Sequence, residues 1–255
     1  MNKTKKLSAA AFRAQCRDCP RLARHLDHVK REHPGFFARP VPPFGDAGAM
    51  LLIVGLAPGM NGANRTGRPF TGDYAGILLF QTLHRFGFAN KPTATDAKDG
   101  LRLIGCRITN AVKCLPPKNE PNTKEIRSCN KYLAYELKAM NKGSVILALG
   151  TIAHRAVLMA LDLKAKEFAF AHGATHTLPN GMTLYDSYHC SRYNVQTKRL
   201  NSRMFETVFA RICRQLASGT ESLARIANKP ESYTHVIFDE LQEQTRAIAC
   251  KLLDK

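Results

Sequence analysis

The sequence predicts an α/β protein: a three-layer sandwich whose central sheet has four mostly parallel strands. Two observations support this fold class. Four short apolar segments have the continuous hydrophobicity of strands that are buried on both faces. Segments with helical spacing of apolar residues alternate with them, as in parallel sheets connected by helices. With 255 residues, 44% of them hydrophobic, the chain is long enough to bury a full core.

The strand and helix candidates alternate along most of the chain. The strand candidates, in chain order, are AMLLIVGLAPG (49–59), LRLIGCRITNAVKC (101–114), GSVILALG (143–150) and GMTLYDSYH (181–189). The helix that is expected after each of them is, in the same order, YAGILLFQTLHRFGF (74–88), TKEIRSCNKYLAYELKAM (123–140), TIAHRAVLMAL (151–161) and RMFETVFARICRQL (203–216).

The two ends of the chain differ from this regular centre. Residues 1–30 have helical spacing interrupted by CRDCP, and residues 34–48 are rich in proline and glycine, which is typical of irregular surface backbone. Residues 218–255 begin polar and end in a segment with one apolar helical face. We therefore expect a main domain over 1–217 and a helical extension over 218–255, which either packs on that domain or contacts a partner.

The charge of the chain indicates the class of partner. Lys and Arg number 38 against 20 Asp and Glu, which gives a net charge of +18. This excess favours a polyanionic partner, and a solvated basic surface is the alternative. No run of 18 apolar residues predicts a membrane span, and the basic N-terminus lacks the apolar core of a signal peptide. We therefore expect a cytoplasmic protein with no membrane contact.

Three unusual loops follow predicted strands, at the edge where α/β proteins bind ligands. They are GLAPGMNGANRTGRPFTGD, NAVKCLPP and HCSRYNVQTKRL. The first is rich in glycine but contains neither the phosphate-binding pattern GxxxxGK[ST] nor the dinucleotide pattern GxGxxG. Its Phe70 and Asp73 could hold a planar ligand beside a carboxylate. Core packing of Phe70 and helix capping by Asp73 are the alternatives.

Four cysteines have a spacing typical of a metal centre. Cys16 and Cys19 form a CxxC motif, and Cys114 and Cys129 flank LPPKNEPNTKEIRS. Both zinc and iron–sulfur clusters take four thiolates, so the spacing leaves these two open, with ordinary thiols as the alternative. We expect Cys106 and Cys213 to be buried core residues, because they lie in apolar patterns.

Together, these loops and the CRDCPRL segment resemble the uracil-DNA glycosylase superfamily, and within it the broad-specificity iron–sulfur branch called family five. The resemblance spans roughly residues 16–205 and implies a monofunctional DNA glycosylase. Such an enzyme extrudes a deaminated base from DNA and hydrolyses its N-glycosidic bond in base excision repair. The implied partner is double-stranded DNA, with single-stranded DNA also open, and the implied state is a monomer.

The resemblance also implies roles for individual residues. Asp73 matches the catalytic carboxylate, His189 the group that stabilises charge on the leaving base, and Asn110 the amide that reads the base edge. Phe70 matches the aromatic ring that stacks on the base. The remaining expected substrate-binding residues are Gly55, Leu56, Ala57, Pro58 and Gly59. The expected DNA-binding residues are Arg65, Ser191, Arg192, Tyr193, Lys198 and Arg199, with Arg203 as a further backbone contact.

By the same resemblance, Cys16, Cys19, Cys114 and Cys129 hold a [4Fe–4S] cluster. Two positions depart from the family pattern: Cys190 stands where the His-Pro-Ser motif has proline, and Asn61 stands where histidine is common. These departures keep a second hypothesis open, a non-catalytic DNA-binding protein with a structural metal or iron–sulfur site. A zinc base deaminase is excluded, because the H-x-E and P-C-x-x-C motifs are absent.

Overall fold

The computed structural model describes residues 9–227, with side chains described through residue 218. Its centre is a six-stranded mixed sheet with the order β1-β3-β2-β4-β6-β5. The strands are β1 (Phe44–Gly45), β2 (Leu51–Gly55), β3 (Cys106–Asn110), β4 (Val145–Leu149), β5 (Thr175–Thr177) and β6 (Thr183–Ser187).

The four central strands are parallel, which confirms the predicted α/β class. The edge strands β1 and β5 are antiparallel, so the sheet has two more strands than the four expected. These edges are two and three residues long. Segments this short carry no hydrophobic periodicity, which is why the sequence pattern did not reveal them.

Helices cover both faces of the sheet. They are α1 (Pro20–Glu32), α2 (Ala63–Thr66), α3 (Tyr74–Arg85), α4 (Thr123–Lys138), α5 (Thr151–Ala160), α6 (Arg192–Gln196) and α7 (Ser202–Ala227). Alternate residues of β2 face opposite sides of the sheet. Leu51 and Ile53 pack in a hydrophobic cluster with residues of α3 and α7. Leu52 and Val54 pack in a second cluster with residues of α4 and α5. This gives the predicted three layers.

The N-terminal helix begins later than the sequence pattern suggested. Described residues before Pro20 are irregular, so the expected helix is wrong for residues 9–15, and the predicted interruption at CRDCP agrees with the irregular backbone at 16–19. Residues 1–8 lie outside the described part. Proline at the first helical position starts α1, because its missing N–H would have no partner there in any case. Leu22, Leu26 and Val29 then pack in a third cluster.

The expected boundary between residues 217 and 218 falls inside α7, which continues to Ala227. The apolar helical segment at 236–253 lies outside the described residues, so the C-terminal extension stays a prediction. Within the described part, no helix has both the length and the apolarity that a membrane span needs. Cys106 and Cys213 are buried core residues, as expected.

Candidate active site

The carboxyl ends of the parallel strands bring the three unusual loops to one edge of the sheet. Gly55 at the end of β2 pairs with Asn110 at the end of β3, and Leu149 of β4 pairs with Ser187 of β6. Backbone bonds continue this alignment past the strands, since Ala111 N donates to Gly55 O at 2.9 Å. The loops after β2, β3 and β6 therefore meet at one edge of the sheet, and we call the place between them the candidate pocket.

Phe70 forms one wall of this pocket. Its side chain is buried, and its φ of +56° lies in the left-handed region, which is rare for a bulky residue. The ring lies against Gly55, where an added Cβ would stand 2.7 Å from Phe70 Cζ. The centroid of the ring is 5.9 Å from that of the His189 imidazole, with 29° between the planes. Phe70 is thus packed into the core, as the alternative expected, and also stacks beside His189.

Asn110 lies against the same side of Gly55 as Phe70. Its side chain is buried, and a Cβ on Gly55 would overlap its Oδ1 atom. Glycine at position 55 is therefore required for Phe70 and Asn110 to approach the same point. Of the residues after Gly55, Pro58 is buried and Leu56 and Gly59 are half-buried. Ala57, by contrast, packs against the cluster on the cysteine side.

Asp73 caps α3 and also faces the glycine-rich loop. Its Oδ1 accepts a hydrogen bond from Gly76 N at 3.1 Å, which is the capping role that the sequence allowed. Its Oδ2 faces the loop after β2, where an added Cβ on Gly59 would stand 3.5 Å from it. Burial raises the pKa of Asp73 above its ordinary value, and the backbone N–H groups of Gly76 and Ala75 only partly oppose this.

His189 is held in a neutral state at the end of β6. Burial lowers the pKa of its imidazole to about 4. Its carbonyl oxygen accepts a hydrogen bond from Asn194 Nδ2 at 2.8 Å, which fixes the loop that follows. A Cβ on Gly150, the residue after β4, would lie 3.6 Å from His189 Cβ, so the imidazole sits above the centre of the sheet edge.

Cys190 is fully buried behind His189. Burial raises the pKa of its thiol, and the nearby Asp73 carboxylate raises it further. The thiol is therefore a neutral, packed group. It fills the position that proline occupies in the family pattern without changing the charge beside Asp73.

The residues expected to bind DNA form a partly exposed rim next to the pocket. Arg192 stacks on Tyr74 with its Cζ 5.5 Å from the ring centroid, and Arg199 stacks on Tyr188 at 4.5 Å. Tyr193 is 69% exposed, the most exposed large hydrophobic side chain of the described residues. Cation–π contacts thus hold two guanidinium groups at the surface.

Three other members of the expected DNA-binding set have additional roles. Ser191 Oγ caps α6 by accepting from Asn194 N at 3.4 Å, and Lys198 is exposed with a φ of +57°. Arg65 is half-buried, and its Nε donates to Asn61 O at 2.8 Å, within the same loop. Arg65 is therefore partly committed to shaping the glycine-rich loop.

The four spaced cysteines converge at a second place, beside α1 and α4. Cys16, Cys19, Cys114 and Cys129 line one pocket together with Leu22, Val112 and Tyr132. Burial raises the pKa of Cys129 to about 11, and the other thiols raise it as well, although the Lys113 side chain and backbone N–H oppose this. The Lys113 N–H donates to Cys129 Sγ at 3.3 Å. Burial therefore favours the neutral thiol of Cys129 over its thiolate.

The spacing of the four sulfur atoms limits what they could hold. Among the described residues, no three of these sulfurs lie within 4.8 Å of one another. A single tetrahedral zinc ion, with Zn–S bonds of about 2.3 Å, would draw the sulfurs to roughly 4 Å apart. In a cubane cluster each thiolate binds a different iron atom, so wider separations are needed. Four cysteines that line one pocket are a donor set that fits an iron–sulfur cluster.

Two buried polar groupings were missed by the sequence patterns. Arg68 and Asp99 form an ion pair at 2.7 Å beneath the loop that carries Phe70. Asp186 of β6 lies 2.8 Å from His154 Nδ1 and 3.2 Å from His176 Nε2, which links α5 and β5 to β6. Neither grouping has a short motif, because each is assembled from residues distant in sequence.

Comparisons with known proteins confirm the predicted family. Residues 42–213 match the family model described as "Uracil DNA glycosylase superfamily". A "Type-5 uracil-DNA glycosylase" of Thermus thermophilus is 47% identical over 195 residues, which cover 74% of this chain and 89% of that protein. One of Pyrobaculum aerophilum is 42% identical over 200 residues, 77% of this chain and 87% of that protein. A "Type-4 uracil-DNA glycosylase" of the same organism is 34% identical over 134 residues, 52% of this chain and 60% of that protein.

Proposed function

The chain belongs to the uracil-DNA glycosylase superfamily, and on that premise we propose that it is a monofunctional DNA glycosylase that releases uracil from DNA. The observation that carries this proposal is the convergence of Phe70, Asn110, Asp73 and His189 on the sheet edge beside Gly55. A second, finer part of the proposal is that other deaminated bases are accepted too.

The pocket would first hold the extruded base. Extrusion costs a few kcal/mol of stacking and pairing, which contacts in the pocket must offset. The Phe70 ring supplies a stacking surface, and the Asn110 amide supplies both a donor and an acceptor for the base edge. Since Gly55 has no side chain, the Phe70 ring and the Asn110 amide can lie close together, where one base would contact both.

His189 would then stabilise the departing base. Negative charge builds up on the base as the glycosidic bond breaks, and a donor aimed at that charge lowers the barrier. With a pKa of about 4, the imidazole is neutral at pH 7 and donates one N–H without bringing a full positive charge into the pocket. The buried setting strengthens that hydrogen bond, because little water competes for it.

Asp73 would act on the sugar side of the bond. The sugar becomes oxocarbenium-like as the base leaves, so a carboxylate nearby stabilises it and orients the attacking water. Oδ1 is engaged by the N-terminus of α3, which fixes the carboxylate, and Oδ2 faces the glycine-rich loop. We assign the contact with water to Oδ2. Burial, which raises the pKa of Asp73, also makes it a stronger base than an exposed carboxylate.

The partly exposed rim would hold the DNA backbone. Arg192 and Arg199 are held at the surface by stacking on tyrosines, and the net charge of +18 favours phosphate contacts over the whole face. Tyr193 is placed to fill the gap that an extruded nucleotide leaves in the duplex. Binding should therefore weaken steeply with salt.

We further propose a [4Fe–4S] cluster on Cys16, Cys19, Cys114 and Cys129. When bound, this group supplies a covalent cross-link between the irregular N-terminal segment, the 112–115 segment and α4. Hydrolysis of a glycosidic bond transfers no electrons, so the residues around the cysteines need only hold and bury the group. We also propose a monomeric, cytoplasmic protein with its main domain over 1–217.

The test is a panel of duplexes that carry uracil, hypoxanthine, xanthine or 5-hydroxymethyluracil, each opposite several bases. Abasic sites are revealed by alkaline strand cleavage, and binding is measured at several salt concentrations. We expect cleavage at uracil, with at least one other deaminated base accepted more slowly. Salt-dependent binding without cleavage of any lesion would instead support a non-catalytic DNA-binding protein.

A further inference from the structure

Arg68 is an arginine of the glycine-rich loop that is turned into the protein instead of toward DNA. Its side chain is only 5% exposed. Both terminal nitrogens pair with the Asp99 carboxylate, at 3.0 and 2.7 Å, and the guanidinium carbon lies 4.9 Å from the Phe44 ring centroid. These contacts hold the Arg68 guanidinium in the interior of the protein, so Arg68 does not bind a DNA phosphate.

Asp99 anchors this pair to a rigid loop. Its two oxygens accept backbone N–H groups of Thr95, Asp96 and Leu101, at 2.9, 3.3 and 2.8 Å. Burial alone would raise the pKa of Asp99, but Arg68 and these N–H groups hold the pKa well below its ordinary value. The carboxylate therefore stays charged and fixed over the whole working pH range.

The same guanidinium also closes the turn that contains Phe70. Arg68 Nε donates to Thr71 Oγ1 at 2.7 Å, and Thr71 N donates to Arg68 O at 3.3 Å. These bonds join the residues on either side of Pro69 and Phe70. Phe70 has a φ of +56°, a conformation that a bulky side chain adopts only when its surroundings impose it.

We infer that Arg68 and Asp99 are a positioning pair for Phe70, which they hold in its left-handed conformation with the ring against Gly55 and beside His189. The inference rests on the proposed function, since it gives Phe70 the task of receiving the extruded base. The pair touches neither base nor sugar, so it acts only through the angle and position of the ring.

The first measurement is the single-turnover rate of uracil release by Arg68→Met, Arg68→Lys and Asp99→Asn, with full-length protein. Displacing the ring by about 1 Å should lower the rate roughly 10- to 100-fold in Arg68→Met. Arg68→Lys keeps the charge but loses the two-pronged geometry, so its loss should be intermediate. Affinity for uncleaved DNA should stay within about two-fold, because phosphate contacts dominate it.

A double-mutant cycle separates positioning from a general structural role. Arg68→Met and Asp99→Asn are each combined with Phe70→Ala, and their effects on the rate are compared in the two backgrounds. If the pair acts through Phe70, each should change the rate by no more than about two-fold once the ring is absent. Melting temperatures are expected to fall in both backgrounds, since the buried ion pair is lost in both.

The matched control is Asp27→Asn, which removes another two-pronged arginine–aspartate pair, Arg17–Asp27, on the exposed face of α1. It should leave the rate unchanged. The inference is overturned if Arg68→Met or Asp99→Asn keeps the wild-type rate, or if their full loss persists in Phe70→Ala. If Arg68→Met fails to fold, Arg68→Lys and Asp99→Asn decide the question. Failure of the proposed function is a separate result: wild-type protein that releases no base.

Discussion

Residues 110–114 contribute side chains both to the pocket at the sheet edge and to the pocket lined by cysteines. The two pockets nevertheless position their functional side chains in opposite ways. Around the first pocket, hydrogen bonds within the protein fix the side chains: the N-terminus of α3 fixes Asp73, and Phe70 lies in a turn that the Arg68 side chain closes. Around the second, the irregular segment before Pro20 meets α4 through the side chains of Cys16, Cys19 and Cys129.

This difference has a consequence for function. Protein contacts assemble the pocket that contains Asp73 and His189, so the proposed catalytic groups would be preorganised before DNA binds. The cysteine pocket gathers four thiols, and burial raises the pKa values of Cys114 and Cys129, so the proposed cluster would have to replace the protons of these two thiols. Changes in the first region should therefore affect the rate, and changes in the second should affect stability.

The strongest test of this separation is Asp73→Asn. Asparagine caps a helix about as well as aspartate, so α3 and the melting temperature should be preserved. The amide cannot stabilise positive charge on the sugar or accept a proton from water. We expect the single-turnover rate of uracil release to fall by about 10³-fold or more while DNA affinity is nearly unchanged. A variant that cleaves like wild type would remove Asp73 from the mechanism.

The next largest effect is expected for Gly62→Ala. An added Cβ would lie 2.6 Å from Asp73 Cβ and 2.7 Å from Cγ, so the carboxylate has to move. The rate should fall roughly 10- to 100-fold from misplacement alone. Gly35→Ala is the matched control, because nothing lies within 4 Å of its added Cβ. Equal rates for Gly62→Ala and wild type would mean that the position of Asp73 is not critical.

The pH dependence tests the electrostatics of the pocket. Because the pKa of His189 is about 4, its neutral form should persist, and the rate should be flat from about pH 6 to 8. The rate should fall at lower pH, by up to about tenfold per unit, as Asp73 and His189 take up protons. An acid limb with an apparent pKa near 6.5 that disappears in His189→Gln would show instead that His189 titrates normally.

The same shift predicts a change in stability with a definite sign. Between the ordinary value of 6.5 and about 4, the unfolded chain binds a proton that folded His189 does not. This residue therefore lowers the free energy of unfolding as the pH falls through that range. Denaturant unfolding at pH 7 and pH 4.5 should show a smaller difference for His189→Gln than for wild type.

The sequence predicted some of these features well and others not at all, for physical reasons. The parallel strands were evident because their residues are buried on both faces, as in β2 and β4. The candidate site residues Phe70, Asp73, Asn110 and His189 were proposed through a family resemblance that rests on motifs in three loops. Arg68 was invisible as a buried group, because its partner Asp99 lies 31 residues away and no local pattern joins them. The apolar residues of the irregular segment before Pro20 pack in the cluster beside Cys114 and Cys129. Their spacing along the chain was therefore misinterpreted as that of a helix.

A smaller effect on the rate is expected when a cysteine ligand is removed. Cys129→Ala should abolish iron content and visible absorption and lower the melting temperature by about 10 °C, because metal binding contributes to folding. The rate per folded molecule should fall only a few-fold, because the expected consequence for the rate is limited to a loosening of α1. Cys213→Ala, which removes a buried core thiol elsewhere, is the matched control and should keep its iron. A loss of rate as large as that of Asp73→Asn would contradict the separation of the two regions.

The smallest effect is expected for Cys190→Pro, which restores the family's motif. Within the described part of the chain, the Cys190 N–H donates to no other residue, so proline removes no hydrogen bond to a neighbour. The thiol is neutral, so its loss changes no charge beside Asp73. We expect a single-turnover rate within about three-fold of wild type and a similar melting temperature, because a compatible proline mainly restricts the unfolded chain. A rate that rises or falls by roughly tenfold or more, the size expected for misplacement of a catalytic group, would instead assign Cys190 a part in setting the angle of His189.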